Sequence, residues 1–318
     1  MKSIYMDNRW AMLQQEKEKG NASIYVFEKD GRKVVYPFIK RAAGTVDGVQ
    51  YFDLVTPRGE AGIRFENCRT EDLAKIAAAF DEAFAKYCAE EKIVAEFIRF
   101  SPWHDHYAGL TEVYDLNFHG NVYCNNLTCD FFMEEYPSNE RQKIRKAERM
   151  GMEVQFGNDE SFIENFLNLY CYTEERFDAC DYYRLDKAFV GKCIAMFPDE
   201  MLFAQANLDG KAVSSTMFFL GPDIAHGIFC GTDQQYRNTN ANKVTMYHAA
   251  LYASEQGKKL FDWGGAKQGS PVEMFKKRCT KEFPYYRGTK IRDEAIYAKL
   301  VEQAGGPREN FFPAYRKG

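Results

Sequence analysis

Apolar positions in the second half of the chain alternate between a helical and a strand period, and the switches outline its elements. After Gly151, Met152–Phe156 reads as a short strand. Over 159–171, Phe162, Ile163, Phe166, Leu167 and Tyr170 fall on one helical face, with Asp159 placed as N-cap. A second helix is predicted over 185–196. Three strands follow, Met201–Asn207, Lys211–Leu220 and Ile224–Gly231, joined by turns at Asp209-Gly210 and Gly221-Pro222-Asp223. A helix over Ala241–Gln256 closes on Gly257, and a strand over Lys259–Trp263 runs into Gly264-Gly265. A short helix over 270–278, a strand at Tyr285–Gly288 and a helix over 292–303 complete the half.

The first half repeats this order imperfectly. A helix over Trp10–Lys19 leads to strands Ser23–Glu28 and Lys33–Ile39 around the turn Asp30-Gly31, then to Gln50–Val55. Thr70 is placed to cap an amphipathic helix whose stripe is Leu73, Ile76, Ala77, Phe80, Phe84 and Tyr87, and strand Ile93–Phe100 follows. A degenerate duplication is therefore expected, with domains over 1–137 and 138–318 and no low-complexity linker between them.

Composition narrows the picture by exclusion. At 318 residues with 45% hydrophobic and 15% aromatic content, the chain can bury a large core and line a cleft with rings. A net charge of -4 rules out a globally basic nucleic-acid coat. No apolar run reaches membrane-spanning length, and the N-terminus lacks the apolar core of a signal peptide. The nine Cys are scattered, odd in number and without a CxxC pair, as expected in a reducing cytoplasm. There is no Gly-x-Ser-x-Gly, Walker loop or His-Glu-x-x-His, so hydrolase, NTPase and zinc-protease readings have no support. Cys124, Cys129 and His119 lack a second ligand pair at zinc spacing, and His104-Asp105-His106 lacks a third ligand nearby, so no metal is expected.

Three antiparallel strands, a helix and then a parallel strand resemble the order of the GNAT (acyl-CoA N-acyltransferase) fold. The expected class is α/β (α+β), with two tandem GNAT-like domains, each a mixed, mostly antiparallel sheet flanked by helices. More specifically, the run from Ser138 to Val154 resembles the FemABX segment in which a basic helix leads through a Gly into a strand. Tyr172-Thr-Glu-Glu-Arg176, Gly264-Gly265 and Phe275-Lys276 are similar to further landmarks of that family, in the same order. The resemblance is dense over 138–300. FemABX enzymes are twin-GNAT proteins that transfer amino acids from aminoacyl-tRNA to the stem peptide of peptidoglycan precursors, and relatives in the superfamily use acyl-CoA.

The resemblance implies site residues. Lys276, after Phe275, would stabilise the oxyanion formed when an amine attacks an ester or thioester; the alternative is a solvated face with Lys277 and Arg278. Arg184, beside Tyr183, falls where the family grips a substrate phosphate; the alternative is a surface salt bridge. Gln14 stands where the family has a phosphate-binding Lys, and Ala188 where it has a Tyr. His226 and Phe229 are expected to face the acceptor cleft. Arg237, Asn240 and Asn242 occupy the loop where acyl-CoA enzymes carry a glycine-containing pyrophosphate cradle; Asn tolerates a left-handed backbone but carries a side chain. The basic helix with Arg141, Lys143, Arg145, Lys146 and Arg149 could touch tRNA, or simply be solvated around Ile144 and Ala147.

The expected function is thus a cytoplasmic N-acyltransferase moving an aminoacyl or acyl group from aminoacyl-tRNA or acyl-CoA onto a primary amine of a cell-envelope precursor, peptidoglycan or surface sugar. The donor is a co-substrate, with no resident cofactor. The rivals are an acyl-CoA-dependent N-acetyltransferase on an amino sugar or other small amine, and a non-catalytic binding protein that keeps the fold.

Overall fold

Interleaved stretches of chain build two compact units in the computed structural model. Every residue is described except 60, 61, 104, 178–183, 310, 317 and 318, and the side chains of 105, 106 and 173–177 also lie outside the described set. One unit comprises Met1–Ile4 and Gly120–Phe283, the other Tyr5–His119 and Pro284–Gly318. The division is discontinuous, whereas a cut at 137/138 is continuous. It falls inside two long strands, Asp115–Asn126 and Lys281–Ile291, which cannot be located by looking for a linker.

In chain order, α1 (Asn8–Gln14) is followed by β1 (Gly20–Lys29), β2 (Arg32–Val46), β3 (Val49–Val55), β4 (Arg64–Glu66), α2 (Leu73–Glu90) and β5 (Ile93–Arg99). Then come β6 (Asp115–Asn126), α3 (Phe131–Glu134), α4 (Ser138–Arg149), β7 (Glu153–Gly157), α5 (Glu160–Phe177) and α6 (Lys187–Met196). Strands β8 (Met201–Leu208), β9 (Lys211–Leu220) and β10 (Ile224–Thr232) precede α7 (Ala241–Glu255), β11 (Leu260–Gly265), α8 (Pro271–Lys277), β12 (Lys281–Ile291) and α9 (Glu294–Gln303). Among the described residues, no helix is long and apolar enough to cross a membrane.

The strands of the two units follow one plan. In the first, β1, β2 and β3 are antiparallel, β3 runs parallel to β5, and residues 287–291 of β12 close the row antiparallel to β5. In the second, β7, β8, β9 and β10 are antiparallel, β10 runs parallel to β11, and β6 closes the row antiparallel to β11. The helix between the third strand and its parallel partner is α2 in one and α7 in the other, which is the tandem GNAT arrangement. The expected duplication is present.

The two helices bury different chemistry. In α2, the predicted stripe packs Phe80 and Phe84 against Tyr36 and Phe38 of β2, with the Phe80 and Phe84 rings stacked 5.4 Å apart. Thr70 does not cap it: a 3-10 turn over Thr70–Asp72 precedes the helix, and its N-cap Asp72 makes no side-chain cap bond. In α7, Ala241, Ala249, Ala250 and Ala253 are all buried against Phe218 and Phe261 of the sheet, so small side chains bring the helix close to the strands. Asp159 does cap α5, accepting from the Ser161 N–H at 2.9 Å. The short helix α8 is fixed locally: Ser270 Oγ accepts from the Glu273 N–H at 3.1 Å, Pro271 occupies the first turn, and a Glu273 carboxylate oxygen accepts from the Gly269 N–H at 2.5 Å.

Helix α5 lies so close to β10 that a Cβ at Gly231 would stand 2.4 Å from the Leu169 carbonyl carbon and 2.5 Å from the Tyr170 nitrogen. Both contacts are backbone and cannot swing aside. Gly231→Ala is therefore expected to destabilise the protein by about 1–3 kcal/mol, the range for overpacking. Thermal melts of the two proteins check it, and an unchanged melting temperature would contradict this packing.

Candidate functional site

The parallel pair β10–β11 holds together for three rungs only: Ile224 with Leu260, Ala225 with Phe261, and His226 with Asp262. Beyond them each strand turns to its other neighbour. In β10 the register against β9 shifts between Gly227 and Phe229. In β11 the register against β6 shifts between Asp262 and Gly265, with Gly264 at φ 70°. Each bulge bends its own strand, and together they part the two into a fork.

A cavity of about 480 Å³ occupies this fork. Ile228, Phe229, Cys230 and Thr232 line it from β10, Trp263 from β11, and Phe275 and Lys276 from α8. Asn240, Asn242, Lys243 and Met246 line it at the start of α7, with Arg237 in the preceding turn. Five cations border it, Lys143, Arg237, Lys243, Lys276 and Arg278, with no carboxylate among the described lining residues. Such a wall favours an anion.

These cations are held differently. Lys276 donates to the carbonyl oxygens of Gly264 at 3.1 Å and Gly265 at 2.8 Å, and also to that of Trp263. All three ammonium donors thus meet backbone oxygens at the tip of β11. Lys243 is buried, ion-paired with the buried Glu140 and 5.8 Å from the Phe275 ring centre. Burial holds its ammonium below the usual lysine value. Lys143 shares Glu140 at 2.7 Å. Arg237 is exposed. Burial pushes the Cys230 thiol up, so it stands in the cavity as a neutral group.

The turn before α7 ends on Asn240, whose φ of 62° and ψ of 22° place it in the left-handed region. Asn does here what Gly does in most such turns. No side chain caps α7. Its first intrahelical bond is Val244 N–H to Asn240 O at 3.0 Å, which leaves the amides of Ala241, Asn242 and Lys243 ahead of the helical ladder.

Six of the nine residues singled out in the sequence therefore meet at one cavity: Phe275, Lys276, Phe229, Arg237, Asn240 and Asn242. His226 does not line it. The bulge keeps His226 and Phe229 on one face, since their β9 partners Phe219 and Met217 are two residues apart, but His226 sits on the last closed rung. It is fully buried, with its ring nitrogens 2.8 Å from Ser3 Oγ and 2.9 Å from Asp262 Oδ2. Arg184 is exposed ahead of α6 and does not border the cavity. Tyr183 and His104 lie outside the described residues, as do the side chains of Thr173–Arg176, Asp105 and His106. Gln14 is buried in α1, and Ala188 is exposed on α6.

Sequence reading missed Lys243, Trp263, Cys230 and Asp262, and named Lys143 only within a basic helix that could touch tRNA. Glu140 and Lys143 at i,i+3 on one helix carried a local signal. The pairing of Lys243 with Glu140, 103 positions apart, carried none. The basic helix α4 also spends part of its charge internally: Arg141 donates to the Tyr136 carbonyl at 2.6 Å and Arg149 to that of Arg145 at 3.2 Å.

Residues 137–277 match the family model described as an acetyltransferase (GNAT) domain. No curated protein matches the chain in sequence. Among solved structures, FemX is 14% identical, with a TM-score of 0.72 over 95% of each chain. L-PGS from Bacillus licheniformis is 12% identical, with a TM-score of 0.55 over 94% of this chain and 96% of that one. At these identities the likeness is one of fold.

Glu273 anchors α8, and with it Phe275 and Lys276. Its carboxylate accepts from the Gly269 N–H and from the Tyr123 hydroxyl at 2.8 Å, which holds it below the usual glutamate value of 4.5. A carboxylate with a depressed folded value contributes stability that is present above the unfolded value and lost as pH falls through the folded one. Wild type is thus expected to melt above Glu273→Gln near neutrality and to converge with it progressively as the pH falls from about 4.5, the ordinary glutamate value, through the lower folded one. A pH-independent gap between the two melts would contradict this.

Proposed function

We propose that this chain, a tandem GNAT-fold protein of FemX-like architecture whose residues 137–277 match an acetyltransferase domain, is an N-acyltransferase that acts at the β10–β11 fork. The donor is an acyl or aminoacyl group on a phosphate-bearing carrier, as in aminoacyl-tRNA or acyl-CoA. The acceptor is a primary amine of a cell-envelope precursor. The observation that carries this reading is the meeting of Lys276, four further cations and an uncapped helix start at one opened parallel strand pair.

The neutral acceptor amine attacks the acyl carbonyl, a C–N bond forms, and the carbonyl oxygen becomes an oxyanion. Collapse breaks the bond to the carrier's sulfur or oxygen, and the proton shed by the amine ends on the leaving group or solvent. Lys276 is suited to the middle of this sequence. Its ammonium is already oriented by three neutral carbonyls, and exchanging one of them for an anion gives a stronger, charge-assisted bond. The gain exists only once the oxygen is charged, which is what lowers a barrier. The carrier's phosphates are suited to the α7 end, where helix amides, Arg237 and Lys143 supply donors.

An acyl-CoA enzyme acting on a small amine is the second reading. It is favoured by Asn240, whose left-handed backbone supplies the turn that a glycine-bearing pyrophosphate loop needs.

Lys276→Met should lower single-turnover rate by about 10²–10³, or roughly 3–4 kcal/mol, with donor affinity and melting temperature little changed. Paired rate and affinity measurements, with acetyl-CoA and alanyl-tRNA as donors and peptide or amino-sugar amines as acceptors, check it and separate the two readings. A variant with normal rate removes Lys276 from the chemistry, and one with weak binding alone makes it a phosphate ligand.

Asn240→Val places a β-branched side chain in the left-handed region and should weaken calorimetric binding of CoA by about tenfold, given a strain of order 1–2 kcal/mol. Unchanged binding would make the turn a plain connection.

A further inference from the structure

We infer that the buried pair His226–Asp262 is the pin of the fork and a positioning device for Lys276. This rests on the acyl-transfer reading only for its effect on rate; the placement of Lys276 can be read without turnover.

The pair occupies the last closed rung between β10 and β11. Both residues are buried, His226 at 0% exposure and Asp262 at 1%. Water cannot serve either one well, so each must find its partners in the protein. Asp262 Oδ2 takes His226 Nδ1 at 2.9 Å. Asp262 Oδ1 accepts from the Gly264 N–H at 2.7 Å and lies 3.7 Å from Cys124 Sγ. On the far side, His226 Nε2 meets Ser3 Oγ at 2.8 Å.

One carboxylate thus does two things at the apex. Through His226 it ties β11 to β10 where the strands part. Through Gly264 it folds the tip of β11 back on itself, at a φ of 70° that glycine adopts without strain. The peptides so fixed are the ones whose carbonyls, at Trp263, Gly264 and Gly265, receive the Lys276 ammonium. A continuous set of hydrogen bonds therefore runs from Ser3 through His226 and Asp262 to the turn that aims Lys276. None of the first three residues needs to touch substrate. With the Asp262 link cut, the turn keeps its sequence but loses the bond that sets its carbonyls.

The test compares Asp262→Ala with Asp262→Asn. Asn can still accept from the Gly264 N–H and, if His226 adopts its other tautomer, donate to Nδ1 while Nε2–H donates to Ser3. The probe is acetic anhydride, with acetylation of Lys276 followed by mass spectrometry and exposed Lys146 as internal reference. Three carbonyls hold the Lys276 nitrogen in wild type and shield it from acylation. Asp262→Ala should speed Lys276 labelling about tenfold or more relative to Lys146, as expected when hydrogen bonds to a charged group are lost. Asp262→Asn should label as wild type does.

In turnover, Asp262→Ala should lose roughly 10²-fold in kcat, the cost of a displaced catalytic group, with the KM for donor within about twofold. Asp262→Asn should restore most of it. Should Asp262→Ala fail to fold, Asp262→Leu, which fills the same space but offers no oxygen to His226 or to the Gly264 N–H, is read in its place. Labelling of Lys276 at the wild-type rate in the folded variant overturns the pin. A wild type that labels as expected yet turns over no donor overturns the acyl-transfer reading instead.

Discussion

A parallel strand pair normally zips along its whole length, because each backbone N–H and C=O left open is costly unless water or another partner takes it. Here β10 and β11 stop pairing after His226 and Asp262, and the rest of the second unit is arranged around that interruption. Two bulges bend the strands apart while each keeps its outer pairing, β10 with β9 and β11 with β6, and α7 and α8 deliver cations and rings to the gap. Closing the fork by further rungs would improve the sheet and remove the site.

Charge around the gap follows from the same constraint. Lys243 is nearly inaccessible, and a lone buried ammonium would be strongly disfavoured; Glu140, itself buried, makes its presence affordable. Because Glu140 also holds Lys143, a single carboxylate anchors two cavity cations from outside the lining. The positive wall is therefore a property of α4 and α7 together, and loss of Glu140 would strand charge within the core rather than merely alter a surface.

How much of this was legible in the sequence depended on how local the cause was. Helix α2 announced itself through a stripe of large side chains, and α5 through Asp159. Five site residues could be named because Phe275-Lys276 and the Arg237–Asn242 turn are contiguous segments, the first resembling a FemABX landmark and the second standing at the start of a helix; Phe229 came from the strand pattern. Strand β6 left no mark: Val122, Tyr123, Cys124 and Asn125 are all buried, so the alternation that reveals a half-exposed strand is missing, and the buried Asn125 is polar because it accepts from Trp263 Nε1 at 2.8 Å. His226 was placed on the right face and in the wrong role, since only the register shows that the strands are still joined at that rung. The units could not be cut correctly either, because one of them takes its last strand segment from far down the chain and both internal boundaries fall inside strands.

In the first unit the equivalent parallel pair stays shut. Strands β3 and β5 keep pairing from Phe52 with Ile93 to Val55 with Phe97, and the row continues past the end of β3: Thr56 N–H donates to the Phe97 carbonyl at 3.1 Å, and Arg99 returns to Thr56 through its N–H at 2.9 Å and its guanidinium at 2.5 Å. Duplication thus left two copies of one scaffold with opposite settings, one sealed and one ajar. The sealed copy has its strand edges satisfied and is free to drift in sequence so long as it folds, while the open copy must keep an awkward gap in good order. On the acyl-transfer reading the open pair takes a single donor at a time, and it is in the sealed copy, rather than around the gap, that sequence change should be most readily absorbed.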